Sequence, residues 1–350
     1  MDEQYTLRLE KIEAVLSARL PERPGSDWVR SVFDPLPHEP PAPLVSNLSE
    51  PGRELVSRGG KRWRPLFMTL TCEALGGGDD ALPIVPLVEF AHNASLIHDD
   101  IEDSSDERRG KPAIHIMYGV DVAVNSGCFL YFLPLACLEE WDVGPARKLR
   151  AYKSYGEVLR RLHLGQAMDI SWHKDPLSLP SLPEYDLMCR MKTGALARLS
   201  ARLGACAAGA DEATEARMGL IAESLGAGFQ ILDDVKNLTT GNPGKKRGDD
   251  IVEGKKSLPL ILYLRQKSGR MDFVTRCFSA ARAGGVTAGE VEELIGEMEA
   301  SGSIEEARKR GTELVEGAAA SIRADALPAA TGGQSEKARE LLAGIASLIG

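Results

Sequence analysis

Leu9, Ile12, Leu16 and Leu20 recur at three- and four-residue intervals among charged positions, so the chain is expected to open with an amphipathic helix. Pro35, Pro37, Pro40, Pro41 and Pro43 follow. Each lacks an amide proton, and together they predict an extended, non-helical connection. From Glu54 onward, Leu- and Ala-rich stretches predict helices near 54–75, 82–104, 119–139, 146–172, 185–209 and 212–238, with shorter ones between 257 and 349. Gly76-Gly77-Gly78, the span from Pro176 to Pro183 and the span from Thr239 to Gly248 supply the breaks. No stretch alternates with period two, and no internal repeat is evident. The expectation is an all-α fold: an N-terminal helix and proline-rich connection over 1–50, then a single domain over 51–350 cored by long helices.

Composition adds limits. A chain of 350 residues with 43% hydrophobic and 27% charged positions can bury a sizeable core. Its net charge of -9 disfavours a general nucleic-acid or anionic-membrane binder. The six cysteines lie far apart without a CxxC pair, which points to reduced thiols and a cytoplasmic location. Asp2, Glu3, Arg8, Glu10, Lys11 and Glu13 interrupt any signal-peptide core. The longest uncharged run, Val122 to Leu138, contains Pro134. It falls short of the ~20 apolar residues of a spanning helix, so no transmembrane segment is expected.

The charges that matter are clustered. In "IHDDIED" the carboxylates of Asp99, Asp100, Glu102 and Asp103 crowd together, and they should raise one another's pKa unless a cation sits among them. On a helix, Asp99 and Asp103 share a face with Cβ atoms ~6 Å apart. Mg²⁺ favours few carboxylates, retained waters and phosphate oxygens. A solvated acidic helix end is the plainer reading of one such motif. A second pair, Asp233 and Asp234 in "FQILDDVKN", follows Phe229, Ile231 and Leu232. Carboxylates ending an apolar helix are costly unless paired or metal-bound. Asn237, one turn after Asp233, offers an uncharged oxygen; Lys236 either opposes a metal there or turns away toward Asp234 or solvent. His98 projects to another side of its helix than Asp99, and His92 lies off the Asp99 face; by its residues alone His92 reads as a core histidine.

Basic residues alternate with these motifs. "GGKRWRPLF" is expected to place Lys61 and Arg64 one helical turn apart, and Arg108-Arg109-Gly110-Lys111 follows the first acidic helix. "MKTGAL" carries Lys192 and Thr193, and "GKKRGDDIVEGKK" carries Lys245 and Lys255. Arginine forks match phosphate oxygens bidentately and lysine brings a mobile charge. Any one of these reads as a solvated side chain. Their alternation with two acidic motifs indicates a site for two diphosphates, one held through metal and one through basic groups.

"GGKRWRP", "HNASLIHDDIED", "RRGKP", "GQAMD", "KTG", "FQILDD" and "GDDIVEGKKSLP" occur in the order seen in the trans-isoprenyl diphosphate synthases. From Gly52 to Leu264 the chain resembles this polyprenyl synthetase family, most closely geranylgeranyl diphosphate synthases of the eukaryotic type. The resemblance implies an isoprenoid synthase fold of about ten helices around a central cavity, usually a homodimer. It implies that Asp99 and Asp103 bind two magnesium ions and Asp233 a third. Arg108, Lys192, Thr193, Gln230, Lys245 and Lys255 would hold an allylic diphosphate; Lys61, Arg64, His92 and Arg109 would hold isopentenyl diphosphate. The reaction implied is head-to-tail condensation of the two.

Chain length is expected to follow from what lies below the first aspartate. Ala94 and Ser95 are small, and the next barrier is Tyr131 and Phe132 with His163, which match residues flooring the cavity of the resembling synthases. A twenty-carbon product is expected, with farnesyl or longer products as alternatives. A metal-dependent phosphohydrolase of the HD type, using His92, His98, Asp99 and Asp233, leaves Lys61, Arg64, Arg109 and the second acidic pair without a role. A terpene cyclase would not need the isopentenyl-binding residues, and a silent regulatory subunit would be expected to lack the acidic motif.

Overall fold

The computed structural model describes residues 3–241, 246–324 and 333–349, and these form seventeen α-helices and one two-stranded hairpin. In order, α1 to α8 are Glu3–Arg19, Ser26–Phe33, Ala42–Ser57, Trp63–Ala74, Pro86–Glu102, Ile114–Tyr118, Val120–Phe132 and Leu135–Glu140. α9 to α11 are the long helices Pro145–Lys174, Leu182–Ala207 and Glu212–Thr239. α12 to α17 are Asp249–Glu253, Leu258–Gln266, Met271–Gly284, Gly289–Ala300, Ser303–Arg323 and Gly333–Ile349. The hairpin pairs β1, Glu107–Arg108, with β2, Lys111–Pro112. Two-residue strands are too short for period-two alternation to reveal them.

Three expectations change. The proline-rich connection ends earlier than its composition implies: α3 starts at Ala42 with Pro43 in its first turn, where a missing amide proton breaks no hydrogen bond, and continues through Pro51. The expected boundary at residue 50 therefore falls inside a helix. The single helix expected over 54–75 is two, because Gly59 and Gly60 adopt φ of 76° and 138° and Arg62 enters α4 at 46°. Lys61 thus lies in a loop, not one helical turn from Arg64. The helix expected over 119–139 divides at Pro134 into α7 and α8. The stretch Val120–Glu140 has the length and apolarity of a membrane span, yet nearly half of its most apolar part is buried and α7 packs on α5 and α3.

The described residues fall into two compact units. The first comprises Met1–Gly156, Leu199–Gly219 and Asp325–Ile345. Here α5 buries Leu87, Phe90, Ala91, Ala94 and Ile97 against α3, α4 and α7, together with the polar Glu89, Asn93 and Asp100. The second comprises Glu157–Arg198, Leu220–Ala324 and Ala346–Gly350. Its core joins Tyr185, Cys189, Ile231 and Val235 to Ile261, Tyr263, Phe278, Leu294 and Ile304.

Candidate active site

In the first unit the acidic motif ends α5. Asp99, 16% exposed at its side chain, and Asp103 at the helix C-cap lie one turn apart. Asp100 is fully buried, and its carboxylate accepts a hydrogen bond from Arg108 Nε at 2.8 Å. Arg108 Nη2 also stands 3.8 Å from Asp99 Oδ2. A cation therefore does sit among the crowded carboxylates, and it is an arginine of the chain itself. Arg109 and Gly110 make the hairpin turn with φ of 54° and 74°, the positive values that a tight two-residue connection requires at both positions. That turn carries Arg109 back toward α5, where Nη1 meets Leu55 O at 3.2 Å and Asn93 Oδ1 at 3.4 Å.

The basic groups rest on a buried lattice that sequence reasoning missed. Arg62 Nη1 donates to Glu89 at 2.6 Å and its Nε to Glu13 at 2.6 Å, tying α1 and α5 to the start of α4. Glu89 also accepts from Asn93 Nδ2 at 2.9 Å, and Asn93 in turn faces Arg109. Burial pulls the Arg109 guanidinium down to about 10, with Glu89 opposing and Arg62 and Arg108 assisting. Arg64 is buried, lies 4.5 Å from the Trp63 ring centroid, and places Nη1 3.4 Å from His92 Nε2. Burial first, then Arg64 and Arg109, push His92 well below its ordinary value, so it is a neutral imidazole.

In the second unit, glycines bring three long helices close. A Cβ on Gly165 would fall 2.5 Å from Lys192 N, so only glycine lets α9 approach α10 here. Asp169, one turn further along α9, accepts from Lys192 Nζ at 2.6 Å and pairs with His173 Nε2 at 2.8 Å. Burial alone would raise the Asp169 carboxyl, but Lys192 and His173 hold it well below the carboxylate range. This gives the glycine and aspartate of "GQAMD" their physical roles. Gly226 likewise sits against Gly194 Cα, where a Cβ would be 2.8 Å away, and so draws α11 onto α10. Thr193 then donates to Gln230 Oε1, and Gln230 Nε2 donates to Asp234 Oδ1 at 2.9 Å. Asp234 is buried, accepts from Tyr185 Oη at 2.6 Å, and is raised to about 6 by burial and by Asp233 and Asp169.

The remaining expected residues are placed as follows. Asp233 is half-buried on α11 beside Asp234. Asn237 is buried, and its side-chain oxygen accepts the Asp250 amide proton at 3.2 Å, which braces α12. Asp234 is committed to Tyr185 and Gln230, not to Lys236. Lys255 pairs with Glu253 and lies 3.9 Å from Asp250, and Lys61 is exposed. Lys245 lies outside the described residues. Ala94 is buried and Ser95 donates to His92 O at 2.8 Å. The three residues expected to floor the cavity differ in exposure. Tyr131 is buried against His98, with ring centroids 5.7 Å apart, but Phe132 is 68% exposed and His163 is also exposed. Position 132 is one residue past Tyr131 on α7, and 100° of helical rotation turns its side chain outward.

Among the described residues no three His, Cys, Asp or Glu side chains gather into a closed metal cage. Two carboxylates one turn apart suit Mg²⁺, which keeps waters and takes phosphate oxygens, so the donor set of Asp99 and Asp103 fits an open magnesium site. The all-α architecture of the described residues is that of the isoprenoid synthase fold. Residues 45–296 match the family model for polyprenyl synthetase. The chain is 39% identical over 240 residues to a geranylfarnesyl diphosphate synthase of Aeropyrum pernix, covering 65% of this chain and 73% of that protein. It is 34% identical over 266 residues to a geranylgeranyl pyrophosphate synthase of Geoglobus acetivorans, covering 75% and 80%. The solved geranylgeranyl pyrophosphate synthetase of Pyrococcus horikoshii superposes with a TM-score of 0.80 at 27% identity, over 98% of this chain and 96% of that one. The chain belongs to the polyprenyl synthetase family and is a prenyltransferase acting on isoprenyl diphosphates.

Proposed function

We propose that the enzyme condenses isopentenyl diphosphate with an allylic diphosphate and stops at geranylgeranyl diphosphate, working as a cytoplasmic homodimer with magnesium. The observation that carries the product length is the pair Ala94 and Ser95 on α5. With small side chains four and five positions before Asp99, a growing chain is not halted early there, and Tyr131, buried beside His98, would be the barrier further on. The name of the Geoglobus relative agrees. A twenty-five-carbon product is the second reading: it is supported by the exposure of Phe132 and His163 and by the name of the Aeropyrum relative.

Asp99, Asp103 and Asp233 are the residues that would hold magnesium, which when bound supplies positive charge to a departing diphosphate. Lys192, fixed by Asp169, and Arg108, fixed by Asp100, add preorganised charge to the same leaving group. Arg64, Arg109 and Lys61 hold isopentenyl diphosphate, with neutral His92 as a hydrogen-bonding partner. Because the Arg109 guanidinium is already held by Asn93 and the Leu55 carbonyl, little ordering of it remains to be done on binding. Exclusion of water lets the allylic carbon meet the isopentenyl double bond first. A second copy would cover the stripe of Val120, Val124, Cys128 and Phe132 exposed along α7.

The test is incubation of the purified chain with radiolabelled isopentenyl diphosphate, each allylic primer and magnesium, followed by chromatography of the dephosphorylated products. Twenty-carbon product supports the reading; accumulation at fifteen or twenty-five carbons replaces it.

A further inference from the structure

Four side chains of the second unit form one unbroken hydrogen-bonded row. Tyr185 Oη donates to Asp234 Oδ2 at 2.6 Å, Gln230 Nε2 donates to Asp234 Oδ1 at 2.9 Å, and Thr193 Oγ1 donates to Gln230 Oε1. Tyr185 and Thr193 come from α10, Gln230 and Asp234 from α11. The chemistry of the groups fixes the direction of the row. An amide nitrogen only donates and an amide oxygen only accepts, so Asp234 receives the Gln230 proton and Thr193 gives its own to Gln230. The Gln230 amide must then turn its NH₂ toward Asp234 and its oxygen toward Thr193. Thr193 has one proton, which this arrangement uses, and only lone pairs remain for whatever else approaches its oxygen. Tyr185 is 2% exposed, Asp234 6% and Thr193 8%, so little water can substitute for a lost partner. Running the row backward would strand a buried proton or lone pair.

We propose that Tyr185 and Asp234 are positioning residues that set the polarity of Thr193. By holding the Gln230 amide in one orientation, they make the Thr193 hydroxyl an acceptor, not a donor, toward bound substrate. The inference rests on the proposed role of this unit in binding the allylic diphosphate, and it refines that role. Lys192, held by Asp169, supplies attraction to the diphosphate. Thr193 gives the diphosphate no proton; its oxygen meets a positively polarised part of the substrate.

Exchanging acid and amide tests the direction. In Asp234→Asn the new amide keeps its oxygen on Tyr185 and turns its NH₂ to Gln230. The Gln230 amide then flips, and Thr193 is left to donate outward. In Gln230→Glu two carboxylates oppose each other. In Asp234→Asn/Gln230→Glu the new carboxylate accepts from both the new amide and Thr193, which restores the original direction and the original net charge. We expect each single replacement to lower kcat by about tenfold or more, and the double replacement to recover to within about threefold of the unmodified enzyme. Thr193→Val separates polarity from charge: in that background Asp234→Asn should lower kcat no further. If Asp234→Asn does not fold, the comparison of Gln230→Glu with the double replacement decides. The proposal is overturned if the double replacement is no better than the poorer single one, or if the Asp234→Asn loss persists in Thr193→Val. Failure of the unmodified chain to condense isopentenyl diphosphate with any primer instead overturns the activity on which it rests.

Discussion

Asp169→Asn removes a charge on which Lys192 and His173 converge. The carboxylate is 9% exposed at its side chain and sits 2.6 Å from Lys192 Nζ and 2.8 Å from His173 Nε2. An amide of the same shape withdraws one counter-charge from the Lys192 ammonium, 18% exposed. Breaking a buried pair from one side costs about 3–5 kcal/mol, and the partial access of Lys192 to water places the expected loss of stability near the lower bound. Function should suffer separately, because Lys192 no longer has a fixed position. Loss of one charge-assisted contact to the leaving diphosphate is worth about 1.5–3 kcal/mol, or roughly 10- to 100-fold in kcat/KM for the allylic substrate. Urea unfolding reads the first quantity and initial rates at varied allylic diphosphate the second. Gly165→Ala should move activity in the same direction with Asp169 intact, since its Cβ would lie 2.5 Å from Lys192 N and force the helices apart. The pH dependence has a definite sign. Asp169 is held below the carboxylate range, so its contribution is complete above the unfolded value of ~3.9 and is lost only as pH falls through the lower folded value. The pair therefore stays intact between about pH 5 and 8. Unchanged kcat/KM in a folded Asp169→Asn enzyme would refute the argument that this carboxylate places Lys192.

Asp99→Ala and Asp103→Ala should each abolish condensation, and near-normal turnover of either at saturating magnesium would remove that residue from the metal site. Arg64→Lys should raise the KM for isopentenyl diphosphate by about tenfold, because an ammonium cannot reproduce a guanidinium fork; an unchanged KM moves Arg64 out of the site. Tyr131→Ala should lengthen the products while Phe132→Ala leaves their length nearly unchanged in the single chain's geometry, given burial of the first and 68% exposure of the second; the reverse order, read by product chromatography, would show that a covering copy makes Phe132 the barrier. His92 is pushed well below its ordinary value and stays neutral, so the acidic limb of the pH–rate profile should keep its position in His92→Gln; a shift of that limb would show that His92 titrates during turnover.

The one-dimensional pattern determined the helices and the acidic and basic motifs on them. Helical periodicity is a local property, and so is the i,i+4 spacing that puts Asp99 and Asp103 on one face, so both could be read before any packing was known. The loop at Gly59–Arg62, the hairpin at Glu107–Pro112 and the start of α3 at Ala42 departed from the pattern where glycine φ values, a two-residue turn and a first-turn proline governed the backbone. Tertiary structure alone decided what each charge does. Nothing in the spacing of Glu13, Arg62, Glu89, Asn93 and Arg109 announces that they meet, since those contacts join separate helices. The same holds for Asp169 with Lys192 and for Tyr185 with Asp234. Whether position 131 or 132 faces inward depends on how α7 is rotated against α5, a difference of one residue that hydrophobic pattern does not resolve when both are aromatic. A charged side chain buried in a core must be compensated by whatever the fold brings beside it, and that partner is set by packing, not by neighbours in the chain.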